Sequence, residues 1–224
     1  MTTVFIARRG AQRTRAAQAQ IEASRGLRAL GVADTLYRAQ AALSKLDPDT
    51  LLIDLRLEDG AALSLVHRLR EGHGERPKVM LIAADAADPL LFASLCGGAD
   101  AYLLEADFPT AATALRRLTA GEAAMSHSIA AHVLKFFDRP IFAPLRDGAP
   151  IDERALDWHG HAHNPLRLSP GECHLVQLLA QGVRSSEVAL RMAISVESLG
   201  RRIGTIYRKL SWNVRSGSLS LLAA

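Results

Sequence analysis

Cysteine is scarce in this chain, and its scarcity excludes a class of folds. Only Cys96 and Cys173 are present, far apart in sequence. They make no disulfide framework of the kind that staples small secreted domains, and they suit a reducing cytosol. Long apolar runs are lacking too. No stretch approaches the roughly 20 apolar residues that span a bilayer. The opening MTTVFIARRG stops a short apolar run with two arginines, which is not the pattern of a secretory signal. Catalytic constellations are also missing: no metal-ligand triad, no nucleophile–base pair, no phosphate-cradling glycine loop. The expectation is a cytoplasmic binding protein with no cofactor and no membrane partner, and not an enzyme.

What is present is unevenly distributed. From Asn164 to the end, eight Lys and Arg stand against three Asp and Glu. The rest of the 224 residues are close to neutral. A basic excess confined to the last quarter suits a segment that meets a polyanion, or is simply a solvated basic face.

The first 137 residues alternate short apolar runs with helical patterns. The runs are Val4–Ala7, Leu27–Val32, Leu51–Ile53, Val79–Ala84 and Ala101–Leu104. Helical spacing fills Ala11–Ser24, Leu36–Leu46, about Ala61–Glu71, Leu90–Cys96, Thr110–Leu118 and Ser126–Phe137. Apolar runs of this length between helices predict βα units on a parallel sheet buried on both faces. Five units give an α/β flavodoxin-like (βα)5 domain, whose site lies beyond the carboxyl ends of the strands. That placement selects Arg8, Arg9, Asp54, Ala83, Ala84 and Glu105.

Over about residues 1–120 the chain resembles the receiver domain of bacterial response regulators. The likeness rests on VFIARR, LLIDLRLEDG, VMLIAAD and GADAYLLEADFP. It implies a phosphoacceptor at Asp54 and an aromatic switch at Tyr102. The family's chemistry also requires an acidic pair for Mg²⁺, a hydroxyl residue and a lysine; here those positions hold Arg8 and Arg9, Ala83, and Glu105. A cation pair repels Mg²⁺, so a receiver that works without aspartate phosphorylation is expected. The substitutions keep the pocket near charge balance. Either Arg8 or Arg9 pairs with Asp54, Glu105 or both, or the arginines point to solvent around a decayed site. Tyr102 is read as core packing in preference to a working switch.

Residues 136–165 carry four prolines and no period, and read as a tether with one short helical turn near Asp152–Trp158. His159, His161 and His163 alternate, as polar linker residues or as metal ligands, but nothing nearby completes a metal set.

Beyond the tether, Ser169, Pro170 and Glu172 form a complete helix-start signal. Three helical patterns follow, the third from a Ser195 cap to about Leu210, and a last short helix covers about Gly217–Leu222. The unit is similar to the LuxR-type, or NarL-type, helix-turn-helix. The likeness is carried by LSPGE, LLAQG, VALRMAIS and TIYRKL. It implies an all-α four-helix DNA-binding domain whose third helix enters the major groove. It further implies a homodimer on double-stranded DNA and a possible protein partner at the receiver domain. The contact set expected is Ser198, Arg201, Arg202, Thr205, Arg208 and Lys209. Gly200 and Gly204 depart from the family: a basic residue is usual at the first and a contacting side chain at the second. Glycine lets the backbone come close to whatever it meets. The domains expected are 1–122 receiver-like, 123–165 extra helix and linker, and 166–224 helix-turn-helix. The function expected is a DNA-binding transcriptional regulator; the alternative is a non-DNA-binding interaction module or antagonist of another regulator.

Overall fold

The computed structural model describes residues 1–73, 76–138 and 167–215. Five strands form one parallel sheet: β1 (Thr2–Ala7), β2 (Leu27–Ala33), β3 (Thr50–Asp54), β6 (Lys78–Ala83) and β7 (Ala101–Leu104). Their order is β2-β1-β3-β6-β7. This is the doubly wound order, with the reversal between β1 and β3. Helices α1 (Ala11–Glu22), α2 (Leu36–Leu43), α3 (Leu63–His73), α4 (Pro89–Cys96) and α5 (Ala111–Thr119) connect them. The central strand β3 is buried at every position, as a strand between two helical layers is, and its apolar core is Leu51–Ile53.

Two helix starts are shaped by local features. The helix expected from about Ala61 begins at Leu63, because β4 (Arg56–Leu57) and β5 (Gly60–Ala61) first turn back on each other. The fifth helix is preceded by a 3₁₀ turn, Glu105–Thr110, which contains Pro109.

Helix α6 (His127–Phe137) is an addition to the five units. Ser126 caps it, accepting from the Ile129 amide at 3.4 Å. Its aromatic side meets α4: the Phe92 ring lies 5.2 Å from His132 and 6.3 Å from Phe136, the latter edge-on. The other side of α6 packs on α7 (Pro170–Ala180). Helices α7, α8 (Ser185–Arg191) and α9 (Val196–Arg215) then form the helix-turn-helix. Leu175, Val188, Leu199, Ile203 and Ile206 close their common core.

Helix α9 runs to Arg215, five residues past the expected Leu210. The extension is held by inward polar residues, which an apolar periodicity cannot register. Asn213 is fully buried and its Nδ2 donates to the Lys209 carbonyl at 2.8 Å. The helical turn at Asp152–Trp158, the three alternating histidines and the helix at Gly217–Leu222 lie outside the described residues.

Candidate functional sites: receiver pocket and reading helix

At the carboxyl edge of the sheet, β1 delivers Arg8, β3 delivers Asp54, β6 ends in Ala83 and β7 is followed by Glu105. Arg8 points inward and is 2% exposed. Its Nε donates to Asp54 Oδ1 at 2.9 Å, and its Nη2 donates to Glu105 Oε2. Its guanidinium carbon sits 4.1 Å from the centre of the Phe108 ring, a cation–π contact supplied by the 3₁₀ turn. Arg9 takes a different part. Its side chain is exposed, while its backbone amide donates to Asp54 Oδ2 at 2.8 Å. Of the two expectations for the arginine pair, Arg8 follows the paired one and Arg9 the solvent-facing one.

Burial pushes the Asp54 carboxyl above its ordinary pKa; the Arg9 amide and the Arg8 guanidinium oppose that rise. Both Asp54 oxygens are therefore occupied by protein donors. The residues present do not fit Mg²⁺: a guanidinium stands where oxygen ligands are needed. Ala83, 2% exposed, offers no hydroxyl toward the pocket. Among the described residues, no group of three or more His, Cys, Asp or Glu is placed to hold a metal.

Tyr102 on β7 is nearly buried, and its Oη accepts from the Ser126 amide at 2.8 Å. Beyond core packing, it thus pins the connector between α5 and α6. The same connector covers α9. The Ala123 amide donates to the Gly200 carbonyl at 3.0 Å, and Tyr207 Oη donates to the Ala124 carbonyl at 2.7 Å. A Cβ built on Gly204 would lie 2.7 Å from the Gly121 carbonyl oxygen, and one on Gly200 would lie 3.0 Å from the Glu122 Cβ. Gly200 and Gly204 are where the receiver's connector lies on α9. Tyr207 is fully buried between them, and burial drives its phenol pKa well up.

The contact residues expected on α9 divide into three groups. Arg201 and Arg208 are exposed; Arg201 Nη2 donates to Ser198 Oγ at 3.4 Å and Arg208 Nη2 to Thr205 Oγ1 at 2.9 Å. Arg202 is half-buried, and burial lowers its guanidinium pKa against the pull of nearby Glu172. Lys209 is turned inward, against the expectation of a DNA contact. It is 6% exposed, and its Nζ donates to Glu172 Oε2 at 2.6 Å and to the Arg167 carbonyl at 2.9 Å. Glu172 is also the reciprocal partner in the α7 capping box, accepting from the Ser169 amide at 2.7 Å. Lys209 thus ties the end of α9 to the start of α7.

Sequence reasoning missed Phe108, Tyr207 and the connector Gly121–Ala124. Nothing local marks them, because each acts through a contact far away in the chain. The glycine pair was the one available signal.

A receiver-type α/β domain followed by a helix-turn-helix is the class these sites define. No protein-family model matches the chain. NarP of Escherichia coli, a nitrate/nitrite response regulator protein, is 27% identical over 174 residues, which is 77% of this chain and 71% of NarP. A nitrate/nitrite response regulator homolog of Haemophilus influenzae is 24% identical over 170 residues, 75% of this chain and 70% of that protein. Among solved structures, the RcsB response regulator of Salmonella typhimurium has a TM-score of 0.51 at 18% identity, covering 93% of this chain and 91% of RcsB. An RcsB–DNA complex has a TM-score of 0.52 at 19% identity, covering 94% of this chain and 92% of that one. The chain is thus similar in sequence to NarL/NarP-type response regulators and in fold to RcsB.

Proposed function

We propose that this chain is a cytoplasmic transcriptional regulator that binds double-stranded DNA as a homodimer, and whose receiver works without phosphoryl transfer to Asp54. The observation that carries the receiver half is Arg8, which bonds Asp54 and Glu105 from inside the pocket. With Arg8 and Arg9, Ala83 and Glu105 at the positions where the resembled family carries metal ligands, a hydroxyl and a lysine, little remains to stabilise charge on a transferring phosphoryl group. Incubation with Mg²⁺ and a small phosphodonor, followed by mass spectrometry, is expected to find no stable phosphoaspartate; finding one at Asp54 overturns this half.

The DNA half is supported by the helix-turn-helix geometry, the exposed Arg201 and Arg208, and the relatives, which include a transcriptional regulatory protein, YdfI of Bacillus subtilis. In the present arrangement the Gly200–Gly204 side of α9 lies under the connector. Reading a major groove with that side requires the two domains to separate. Genome-wide recovery of bound DNA with the native protein is expected to yield a defined site, with Arg201→Ala lowering affinity for it by ~1–3 kcal/mol.

The covered glycines also favour a second reading, in which the chain no longer reads DNA and acts on another regulator through its receiver. Recovery of no specific site, together with unchanged binding in the Arg201→Ala variant, selects that reading.

A further inference from the structure

The receiver has a second end, opposite the pocket, where exposed arginines gather. The first 28 residues hold six arginines and a single acidic residue, Glu22. Two of the six, Arg25 and Arg28, are exposed at the amino-terminal edge of the sheet, where β2 begins. The Thr2 amide donates to the Gly26 carbonyl there at 2.8 Å. Arg116, in the last turn of α5, joins them: its Nη1 reaches the Arg25 carbonyl at 3.5 Å. Next along this edge is a hollow of about 320 Å³ lined by Thr2, Asp49, Arg76, Lys78 and Thr119.

Helix α9 arrives at the same edge. Arg208 and Gly204 share a small crevice with Lys78, Asp100, Leu118 and Gly121. At its first turn, Glu197 feels Arg117 of the receiver as well as Arg201; its carboxyl is held down mainly by its own amide and the Ser195 hydroxyl, with the two arginines adding. The exposed stripe of α9, with Arg201, Thr205, Arg208 and Trp212 at helical spacing, therefore continues the receiver's basic edge.

Three of the acids on this edge are already engaged. Asp49 accepts from the Thr3 amide and hydroxyl, each at 2.9 Å. Asp100 accepts from Arg70 Nη2 at 2.6 Å, Lys78 Nζ at 3.3 Å and the Val79 amide at 2.8 Å. Glu122 accepts from Arg117 Nε at 2.9 Å. Among the described residues, Arg25, Arg28, Arg116, Arg201 and Arg208 meet no carboxylate at ion-pair distance, and where they bond at all they bond neutral oxygens.

We propose that this composite face, Arg25, Arg28 and Arg116 of the receiver with Arg201 and Arg208 of α9, binds the phosphate backbone of double-stranded DNA without reading its sequence while the domains are still packed together. The inference rests on the DNA-binding reading above and adds a second footprint to it. Five arginines exposed here, none within ion-pair distance of a described carboxylate although Glu197 stands near Arg201, are complementary to a duplex, which presents one negative charge per ~1.7 Å of axis. All five are arginines, whose planar fork matches phosphate oxygens in pairs. Such binding keeps the covered protein on DNA, and opening then exposes the glycine side of α9 to the groove.

The test uses the full chain and a duplex of arbitrary sequence, titrated by fluorescence anisotropy across a salt series. Native protein is expected to bind, with log affinity falling steeply against log salt. The Arg25→Gln, Arg28→Gln, Arg116→Gln triple variant is expected to flatten that slope by about 3, at about 0.9 for each phosphate no longer neutralised. Its thermal unfolding is expected to be unchanged, because the three side chains are exposed. Placing lysine at the three positions is expected to recover most of the slope. An unchanged slope in the triple variant overturns the proposal while leaving the helix-based reading intact. So does native protein that binds its recovered site but not arbitrary duplex. Native protein that binds no DNA at all sinks the underlying reading instead. Tighter binding to phosphatidylglycerol vesicles or to poly-glutamate than to duplex assigns the face to a different partner and overturns the proposal.

Discussion

The pocket around Asp54 and helix α9 both lack side chains that the resemblance to response regulators leads one to expect there, and the gaps are filled in opposite ways. In the pocket a large cation, Arg8, stands where the resemblance implies a small acid, and it satisfies Asp54 and Glu105 from within the chain. On α9 large polar positions have become Gly200 and Gly204, and the space is filled by backbone from the receiver. One site is closed by adding a charge, the other by removing side chains. The difference predicts how each breaks. A buried ion pair fails catastrophically when one member goes, because the other is left charged in a poor solvent. A close backbone approach fails when anything larger is inserted.

The largest effects should come from the cations. Arg8→Ala is expected to destabilise the receiver by ~3–5 kcal/mol in denaturant unfolding, with no rescue by Mg²⁺. Replacing Arg8 by Met and Asp54 by Leu together should recover most of that loss; if the double variant is no better than the single one, the pocket is not held by this pair. Lys209→Met should cost the helix-turn-helix a similar ~3–5 kcal/mol by stranding Glu172, which is 5% exposed. Arg201→Ala, on the exposed stripe, should stay within about 0.5 kcal/mol of native stability. Equal losses from Lys209→Met and Arg201→Ala would contradict the inward assignment of Lys209.

Next in size is Gly204→Lys. Its new Cβ meets the Gly121 carbonyl, a backbone atom that cannot swing away, so the interdomain joint should weaken by ~1–3 kcal/mol. The helix itself should gain about 1 kcal/mol from losing a glycine. The expected signature is a larger radius of gyration by X-ray scattering together with a helix-turn-helix that melts later. A variant that stays closed would mean that the joint does not depend on the missing side chain, and the contrast between pocket and helix would fall.

Smallest is Tyr207→Phe, which removes one hydrogen bond to Ala124 and should loosen the joint by about 1 kcal/mol. The same phenol sets a pH dependence. Its folded pKa is raised above the ordinary 10.0, so the folded state holds the proton longer. Its contribution should be complete below about pH 10 and fade as pH rises beyond it. Alkaline scattering on native protein and on Tyr207→Phe tests this: the native joint should respond more strongly, the Tyr102 phenol on the same connector being common to both.

The fold was legible because its signals are local. Apolar runs such as Leu51–Ile53 and helical stripes such as Leu175, Val176, Leu178 and Leu179 are periodic within a few residues. The α7 capping box could be read from Ser169 and Glu172 alone, and it is present. The pocket was partly legible, because strand ends converge in this topology and four substituted positions kept a near-neutral sum. Which arginine turned inward was not legible, since Arg8 and Arg9 are adjacent and identical. Strand alternation decides it once the register of Ala7 against Ile53 is set. Lys209 was misassigned because a lysine beside an arginine on a basic helix reads as surface; its partner Glu172 lies 37 residues away.

By itself, then, the sequence determined the strands and helices of the parallel sheet and of the helix-turn-helix, which follow from residue type at short spacing. Only the tertiary structure decided what the glycines of α9 are next to. A glycine states that something comes close, because it omits the Cβ that would prevent it. It carries no side chain to say what comes close, and that was settled by packing α9 on a connector some 80 residues earlier, at Gly121–Ala124.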